Sequence, residues 1–169
     1  MLEDLYFWLL HLRILGYNAD VLCLQEVDSK IFNAYLEPTF SRLGFSSIFA
    51  KKGGDVSEGV SCIFNGQKFK LVESYNFVLS EELNSNSILS DLWEAVQQNE
   101  QLKERFLSRT TVCQVVVLDV IGKSKRLVVA NTHLYFHPDA DHIRLLQLTI
   151  GTRLAQNICR NSSVCILVL

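Results

Sequence analysis

Residues 19–27 read Ala-Asp-Val-Leu-Cys-Leu-Gln-Glu-Val, and they predict a buried strand whose last residues are polar. Residues 21–24 are all apolar, as in a strand that is covered on both faces in an α/β sheet. Ligands of open α/β sheets bind beyond the carboxyl ends of the strands, and Glu26 lies at such an end. Glu26 is therefore a candidate site carboxylate. The alternative is that it caps the next helix, because a helical pattern begins directly after it.

The bulk composition is that of a globular protein with one domain. The chain has 169 residues and 19.2 kDa, with 49% hydrophobic and 20% charged residues, which is enough to bury a core. No apolar run approaches the ~20 residues that span a bilayer. The net charge of −2 and the pI near 6.1 exclude a broad basic face for nucleic acid. They do not exclude a nuclease, because a site that binds a cation is itself acidic.

The five cysteines include no Cys-x-x-Cys motif, so they predict reduced thiols and exclude a structural zinc site. Cys23 and Cys165 lie in apolar, strand-like runs, and we expect both to be small core residues. Reduced thiols favour an intracellular protein.

The hydrophobic periodicity predicts three long helices, which are expected at residues 2–15, 29–43 and 141–159. It also predicts short strands, which are expected at 47–51, 59–64, 69–75, 111–120, 126–132 and 164–169. Pro38 should interrupt the second helix, and Asn65-Gly66 should form a tight hairpin turn. Residues 80–109 predict one or two helices inserted at the sheet edge, which either cover the sheet or set substrate selectivity. Because the last strand is apolar up to its final residue, we expect residues 1–169 to be a single, incomplete domain.

A second strand ends in polar residues in the same way as the first. The run 127–130 is apolar, and Asn131-Thr132-His133 follow it. A single histidine at a strand end is often a structural hydrogen-bonding group. Two strand ends of one kind, one with a carboxylate and one with an imidazole, favour a shared cleft between sandwiched sheets.

Metal-assisted phosphoryl transfer is the chemistry that these residue types serve. Mg²⁺ prefers oxygen ligands, keeps several waters, and commonly takes one or two carboxylates together with phosphate oxygens of the substrate. Glu26 is therefore a sufficient protein anchor for Mg²⁺. His133 can donate a hydrogen bond to phosphoryl oxygens that gain charge in the transition state, and Asn131 can orient His133 or contact the phosphate. No zinc-type Cys/His spacing, nucleotide-binding P-loop or Gly-x-Ser-x-Gly motif occurs.

These motifs resemble the signatures of the endonuclease/exonuclease/phosphatase superfamily. Leu24-Gln25-Glu26-Val27 is similar to its first signature, Asn131-Thr132-His133-Leu134 to its second, and Glu58-Gly59 to its third. Tyr135-Phe136-His137-Pro138 and the following Ile143-Arg144-x-x-Gln147 resemble the deadenylase-like branch, and within it the 2′,5′-phosphodiesterases. The likeness runs from about residue 10 to residue 165. It implies an α/β fold, a partial four-layer α/β sandwich of the endonuclease/exonuclease/phosphatase type.

The resemblance also implies roles for single residues. Glu26 would be a Mg²⁺ ligand, His133 would contact the scissile phosphate, and Asn131 would support His133. Four further residues are expected to serve substrate binding. Glu58 and Gly59 would do so at the cleft rim, and His137 and Arg144 would order the loop beneath the cleft. For His137 a purely structural clamp beside Pro138 is the alternative.

The sequence departs from the family pattern in several places. It contains no Gly-Asp-Phe-Asn motif, which in the family carries the general-base Asp, and no strand with a metal-site Asn precedes the first signature. The terminal Asp-His pair is also missing, and Asn65 stands where the family usually has a basic residue. We therefore expect the 169 residues alone to be inactive or nearly so.

The resemblance implies a Mg²⁺-dependent phosphodiesterase, a 3′-exoribonuclease that hydrolyses 2′,5′-oligoadenylate or poly(A) to AMP. An alternative is an mRNA deadenylase of the carbon-catabolite-repression type. An alternative of another class is a non-catalytic binding or decoy protein, which the missing motif favours. The expected partner is RNA or oligoadenylate, with no membrane and no obligate protein partner. The resemblance implies the mitochondrial matrix, and the cytoplasm is the alternative compartment.

Overall fold

The computed structural model describes Ile14, residues 16–160 and the backbone of residues 165–168. The predicted helix at 2–15 lies outside these residues except for Ile14. The elements follow along the chain as β1 Val21–Asp28, α1 (Ser29–Ile31, a π-helical turn Phe32–Leu36, and Glu37–Arg42), β2 Phe45–Lys51, β3 Glu58–Asn65, β4 Phe69–Val78, α2 Leu79–Ser85, a 3₁₀ turn Ser87–Leu89, α3 Ser90–Gln97, α4 Glu100–Leu107, β5 Val112–Val120, β6 Arg126–Thr132, α5 Asp141–Arg160 and β7 Cys165–Val168.

The strands form two sheets that pack face to face. The first sheet has the order β1-β3-β2 and is antiparallel throughout. The second has the order β4-β5-β6-β7, in which β7 runs parallel to β6 after the crossover helix α5. Helix α1 covers the outer face of the first sheet, and α2 to α5 cover the outer face of the second. This four-layer α/β sandwich confirms the predicted fold class.

Strand β5 shows how the core is divided between the layers. Alternate side chains of a strand point to opposite faces, and Val115 and Val117 pack against the helices while Val116 and Leu118 pack against the first sheet. All four are at most 2% exposed. Both faces of β5 are therefore buried, which explains why residues 111–120 are almost continuously apolar.

Helix α1 is amphipathic, as the sequence predicts, but Pro38 does not interrupt it. Phe32, Leu36 and Phe40 are buried at four-residue spacing. Pro38 lies in the first turn of the final α-helical segment, directly after the π-helical turn, and a proline is tolerated there because no N–H is required. Gly44, with φ of 81°, ends the helix.

The prediction of a hairpin at Asn65-Gly66 is wrong. Strand β3 pairs with β1 and β2, whereas β4 pairs with β5 in the other sheet. The turn is still tight, because the Lys68 amide donates to the Asn65 carbonyl over 3.0 Å and the Gly66 amide to the Gly44 carbonyl over 2.9 Å. The segment therefore carries the chain from one sheet to the other.

Strand β1 is less buried than its apolar run predicts. It pairs with β3 alone among the described strands, and it pairs antiparallel. Cys23 is exposed, which contradicts the prediction that it is a core residue. Its partner across the ladder, Cys62, is buried.

The thiols of the described residues differ in state. Cys23, Cys62 and Cys113 are free. Cys159 is disulfide-bonded, which the prediction of reduced thiols missed. Burial raises the pKa of the Cys113 thiol to about 12, so this group stays protonated at neutral pH.

The insertion at 80–109 covers a face of the second sheet and does not lie at its edge. Its apolar residues Leu83, Val96 and Phe106 join the core formed by β5, β6 and α5. A covering role is therefore shown for these helices. In the described part of the chain, no helix has the length and apolar character needed to cross a membrane.

Candidate active site

Glu26 lies on a β-bulge near the carboxyl end of β1. Leu24 pairs with Ser61 and Val27 pairs with Gly59, so two residues of β1 oppose one residue of β3. Glu26 has a φ of 54°, in the left-handed region that non-glycine residues seldom adopt. Such conformations cost on the order of 1–3 kcal/mol and cluster at functional sites. The bulge leaves the Glu26 side chain 70% exposed.

The helix-cap function belongs to Asp28 and not to Glu26. The Asp28 carboxylate accepts hydrogen bonds from the amides of Lys30 and Ile31 over 2.8 and 3.3 Å, and from the Ser57 hydroxyl over 2.9 Å. These bonds, with that of Ser57 the largest, hold the pKa of the Asp28 carboxyl below its usual range. The alternative reading of Glu26 as a cap is therefore not supported.

His133 follows β6 of the second sheet and lies beside Glu26 of the first. Its Nδ1 is 3.8 Å from Oε1 of Glu26, and the imidazole is 34% exposed. Both residues line one cleft of about 360 Å³. The 3.8 Å separation is longer than a hydrogen bond. Two strand ends that are about 107 residues apart in the sequence thus bring an acid and an imidazole to one place.

Asn131 connects the two sheets next to this pair. Its Nδ2 donates to the carbonyls of Leu24 and Ser61 over 3.2 and 3.1 Å, and its Oδ1 accepts from Nε2 of Gln25 over 2.8 Å. The side chain is 3% exposed. Both amide donors are used on the first sheet, so Asn131 supports the site by holding the bulge that carries Glu26. Direct support of the His133 ring stays a prediction.

We expect Asn131→Ala to lower the free energy of unfolding by about 2–4 kcal/mol, because it removes the side-chain donor to the buried carbonyl of Ser61 and to the partly buried carbonyl of Leu24. Urea unfolding of the complete protein measures the change. Asn84→Ala, at an exposed position of α2, is the matched control and should cost less than about 0.5 kcal/mol. A loss below 1 kcal/mol for Asn131→Ala would show that this link between the sheets is unimportant.

Of the two predicted rim residues, Glu58 lines the cleft and Gly59 does not. Oε2 of Glu58 accepts from Nζ of Lys52 over 2.9 Å, and the lysine side chain is only 19% exposed. Gly59 is buried between β1 and β2. An added Cβ there would lie 2.1 Å from the Ala50 carbonyl oxygen. Gly59 therefore allows β2 and β3 to lie close together. Its predicted contact with substrate has no support in the geometry.

His137 and Arg144 hold the loop after β6 and do not line the cleft. Arg144 donates to the carbonyls of Tyr135 and Pro138 over 3.2 and 3.3 Å and to that of His137. Nδ1 of His137 accepts from the Asp139 amide over 3.2 Å. These bonds agree with the prediction that Arg144 orders the loop beneath the cleft. For His137 they favour the alternative, a structural clamp beside Pro138.

Arg109 and Lys52 also line the cleft, and neither residue was predicted from the sequence. Arg109 precedes β5, and its guanidinium carbon is 4.5 Å from the Tyr135 ring centroid. The position of Arg109 could have been predicted from the antiparallel pairing of β5 and β6. This pairing places the start of β5 beside the end of β6, where Cys113 pairs with Thr132. A basic residue just before β5 therefore had to lie close to His133.

The carboxylate oxygens of the cleft fit a divalent cation that keeps most of its own water. Among residues 16–160, no group of three or more His, Cys, Asp or Glu side chains is placed to hold a metal. Mg²⁺ is commonly bound through one or two carboxylates, with waters and substrate phosphates completing its shell. The Glu26 carboxylate beside His133 has the charge and the exposure that such an anchor requires.

The sequence is similar to those of curated proteins, and the fold is similar to those of solved structures. No protein-family model matches the sequence. The chain is 34% identical over 154 residues to 2′,5′-phosphodiesterase 12 of Mus musculus. The aligned region covers 90% of this chain and 25% of that protein. It is 27% identical over 161 residues to the CCR4-Not complex 3′-5′-exoribonuclease subunit Ccr4 of Candida albicans, covering 90% of this chain and 20% of that protein. The chain thus spans about a quarter or less of these relatives.

Solved structures share the fold. The catalytic domain of human Nocturnin superimposes with a TM-score of 0.73 at 24% identity, over 97% of this chain and 55% of that chain. An endonuclease/exonuclease/phosphatase from Bacteroides vulgatus superimposes with a TM-score of 0.61 at 16% identity, over 86% and 49% of the two chains. The chain belongs to the endonuclease/exonuclease/phosphatase superfamily. Within the superfamily, its named relatives lie in the deadenylase-like branch.

Related members of the superfamily are nucleases and phosphodiesterases, and such nucleases generally depend on a divalent metal. The acid and the imidazole lie in one open cleft of this chain, and the bulge directs the Glu26 carboxylate away from the ladder.

Proposed function

We propose that this protein is a Mg²⁺-dependent phosphodiesterase that removes AMP from the 3′ end of 2′,5′-oligoadenylate or poly(A). The observation that carries the proposal is the placement of Glu26 and His133, from different sheets, 3.8 Å apart in one cleft. The similarity to 2′,5′-phosphodiesterase 12 supports adenylate as the substrate class.

Glu26, His133 and Asn131 would have different roles in phosphoryl transfer. Glu26 would hold the magnesium ion, which supplies positive charge for the phosphoryl oxygens. His133 would donate a hydrogen bond to a phosphoryl oxygen that gains charge as water adds to phosphorus. In that reaction the bond from phosphorus to the leaving ribose oxygen breaks, and the leaving oxygen gains a proton. Asn131 keeps the bulge, and with it the Glu26 carboxylate, in register with His133.

Binding and turnover are separable in this proposal. The 169 residues contain no Gly-Asp-Phe-Asn motif, and the resemblance assigns activation of the water to the Asp of that motif. We therefore expect the 169-residue chain alone to be catalytically inactive or nearly so. The complete protein is the one to assay for hydrolysis.

We expect hydrolysis by the complete protein to stop when EDTA removes divalent metal and to return when Mg²⁺ is titrated back. The physical reason is that the Glu26 carboxylate repels the phosphoryl oxygens when no cation lies between them, and the one His133 donor cannot replace the charge of the metal. The measurement is AMP release from a 2′,5′-linked adenylate trimer at increasing free Mg²⁺. Turnover that is unaffected by the chelator would overturn the proposed mechanism.

A deadenylase of the Ccr4 type is the second candidate, because the chain is 27% identical to a named Ccr4 exoribonuclease subunit. The same assay with 2′,5′- and 3′,5′-linked trimers of equal length separates the two. Preference for the 3′,5′ linkage favours the deadenylase. Tight binding of both trimers without AMP release, in any metal, favours the non-catalytic binding protein.

A further inference from the structure

The cleft continues beyond Glu26 and His133 to a group of residues that the proposed reaction does not use. The loop after β6 contributes Tyr135 and Phe136, and the segment between α4 and β5 contributes Arg109. The two aromatic rings have centroids 5.6 Å apart and are tilted by 59°. The guanidinium carbon of Arg109 lies 4.5 Å from the Tyr135 centroid. We call these three residues the aromatic end of the cleft.

Phe136 is 83% exposed, which is unusual for so large an apolar side chain. It lines the same cleft as Glu26 and His133. The loop that carries it is fixed on both sides. The Tyr135 amide donates to Oε1 of Gln147 over 2.9 Å, and Arg144 donates to the carbonyls of Tyr135, His137 and Pro138. Because the loop is held by α5, little ordering is needed when a ligand contacts Phe136.

The Arg109 guanidinium has N–H donors beyond those that bond within the described part of the chain. Nε donates to the Arg105 carbonyl over 3.1 Å and a terminal nitrogen to the Ser108 hydroxyl over 2.8 Å. Within the described part of the chain, no carboxylate pairs with Arg109, whereas Lys52 in the same cleft is paired with Glu58. A guanidinium has five N–H donors in a fork that suits phosphate. Arg109 can therefore bind a phosphate without first losing a carboxylate partner.

We propose that Arg109, Tyr135 and Phe136 form a subsite for the nucleotide next to the scissile phosphate, with its base stacked on Phe136 and its phosphate bound by Arg109. This inference deepens the proposed function and rests on it, because the phosphodiester reaction supplies the ligand class. Base stacking on an aromatic side chain tolerates any base. The subsite thus selects single-stranded substrates, whose bases are free to unstack, over duplex.

The test is the affinity of the complete protein for a 5′-fluorescein-labelled tetra-adenylate, measured by fluorescence anisotropy in EDTA so that hydrolysis does not interfere. Phe136→Ala should weaken binding roughly 5- to 160-fold, which corresponds to about 1–3 kcal/mol for one stacked base. Phe136→Trp should retain it. Ile121→Ala removes an apolar side chain that is 51% exposed on the turn between β5 and β6, and it should leave the affinity within two-fold of wild type.

Arg109→Ala should weaken binding and reduce the slope of log affinity against log salt by about 0.7, the value for one phosphate contact with a single strand. Arg42→Ala, at an exposed arginine of α1, is the matched control and should leave the slope unchanged. Arg109→Lys should recover most of the salt slope and only part of the affinity, because lysine lacks the planar fork. An unchanged slope for Arg109→Ala contradicts the phosphate contact.

Failure of the subsite and failure of the proposed function give different results. If Phe136→Ala binds as wild type does while hydrolysis still needs Mg²⁺, the subsite is wrong and the reaction stands. If binding weakens as expected but no metal supports AMP release, the subsite stands and the reaction is wrong. If Phe136→Ala instead disrupts a complex with another protein and leaves tetra-adenylate affinity unchanged, Phe136 is a protein contact and the subsite is wrong.

Discussion

Glu26→Gln is expected to lower kcat of the complete protein by about 10²–10³-fold at saturating Mg²⁺. Glutamine has the same shape as glutamate and keeps one oxygen ligand, but it removes the negative charge that holds a divalent cation. The apparent affinity for Mg²⁺ should fall in parallel. Initial rates of AMP release, measured over a range of free Mg²⁺, give both quantities.

The same substitution should leave the fold unchanged, because the Glu26 side chain is 70% exposed and the His133 ring nitrogen, 3.8 Å away, is beyond hydrogen-bond distance. We expect its urea unfolding curve to match that of wild type within about 0.5 kcal/mol. Glu94→Gln, on the outer surface of α3, controls for the loss of one negative charge and should have wild-type turnover. Equal turnover of Glu26→Gln and Glu94→Gln would remove Glu26 from the reaction.

Gly59→Ala is expected to destabilise the protein by about 3 kcal/mol or more, although it adds a single methyl group. The new Cβ would lie 2.1 Å from the carbonyl oxygen of Ala50 and 2.8 Å from Cζ of Phe49. The first of these is backbone of the neighbouring strand β2. Since β3 is held by ladders to both β1 and β2, neither strand moves away without the loss of ladder hydrogen bonds.

Chemical denaturation of the complete protein measures this loss as a lower midpoint at an unchanged slope. Gly16→Ala is the matched control, because no atom of the residues that the structure describes lies within 4 Å of a Cβ added at that position. It should be neutral or slightly stabilising, since alanine restricts the unfolded chain. A Gly59→Ala protein as stable as the Gly16→Ala protein would show that the strands separate freely at this point.

The candidate site was predictable to the extent that each strand carried its own functional residue. An apolar run followed by Glu26, and another followed by His133, is a local pattern that requires no knowledge of the partner strand. The role of Asn131 was not predictable in this way. Its three hydrogen bonds join it to Gln25, Leu24 and Ser61, and these residues approach it only because the sheets pack face to face.

Two local patterns predicted the right element in the wrong surroundings. Asn65-Gly66 predicted a turn, and a turn is present, but the strands that it joins lie in different sheets. Residues 21–24 predicted a strand, and β1 is present, but it is antiparallel and partly exposed. Turn chemistry and apolar content depend on a few adjacent residues, whereas the choice of strand partner depends on the whole sheet.

The sequence alone determined the positions of most strands and helices and the acid and imidazole at two strand ends, because these follow from periodicity and short motifs. The four-layer class was implied by the family resemblance that the motifs carry. Only the tertiary structure decided that Glu26 sits on a strained bulge, that Gly59 is a packing residue, and that Arg109 and Tyr135 belong to the cleft. The physical reason is distance along the chain. Contacts between residues on different sheets depend on how the sheets stack, and no local pattern of residues encodes that arrangement.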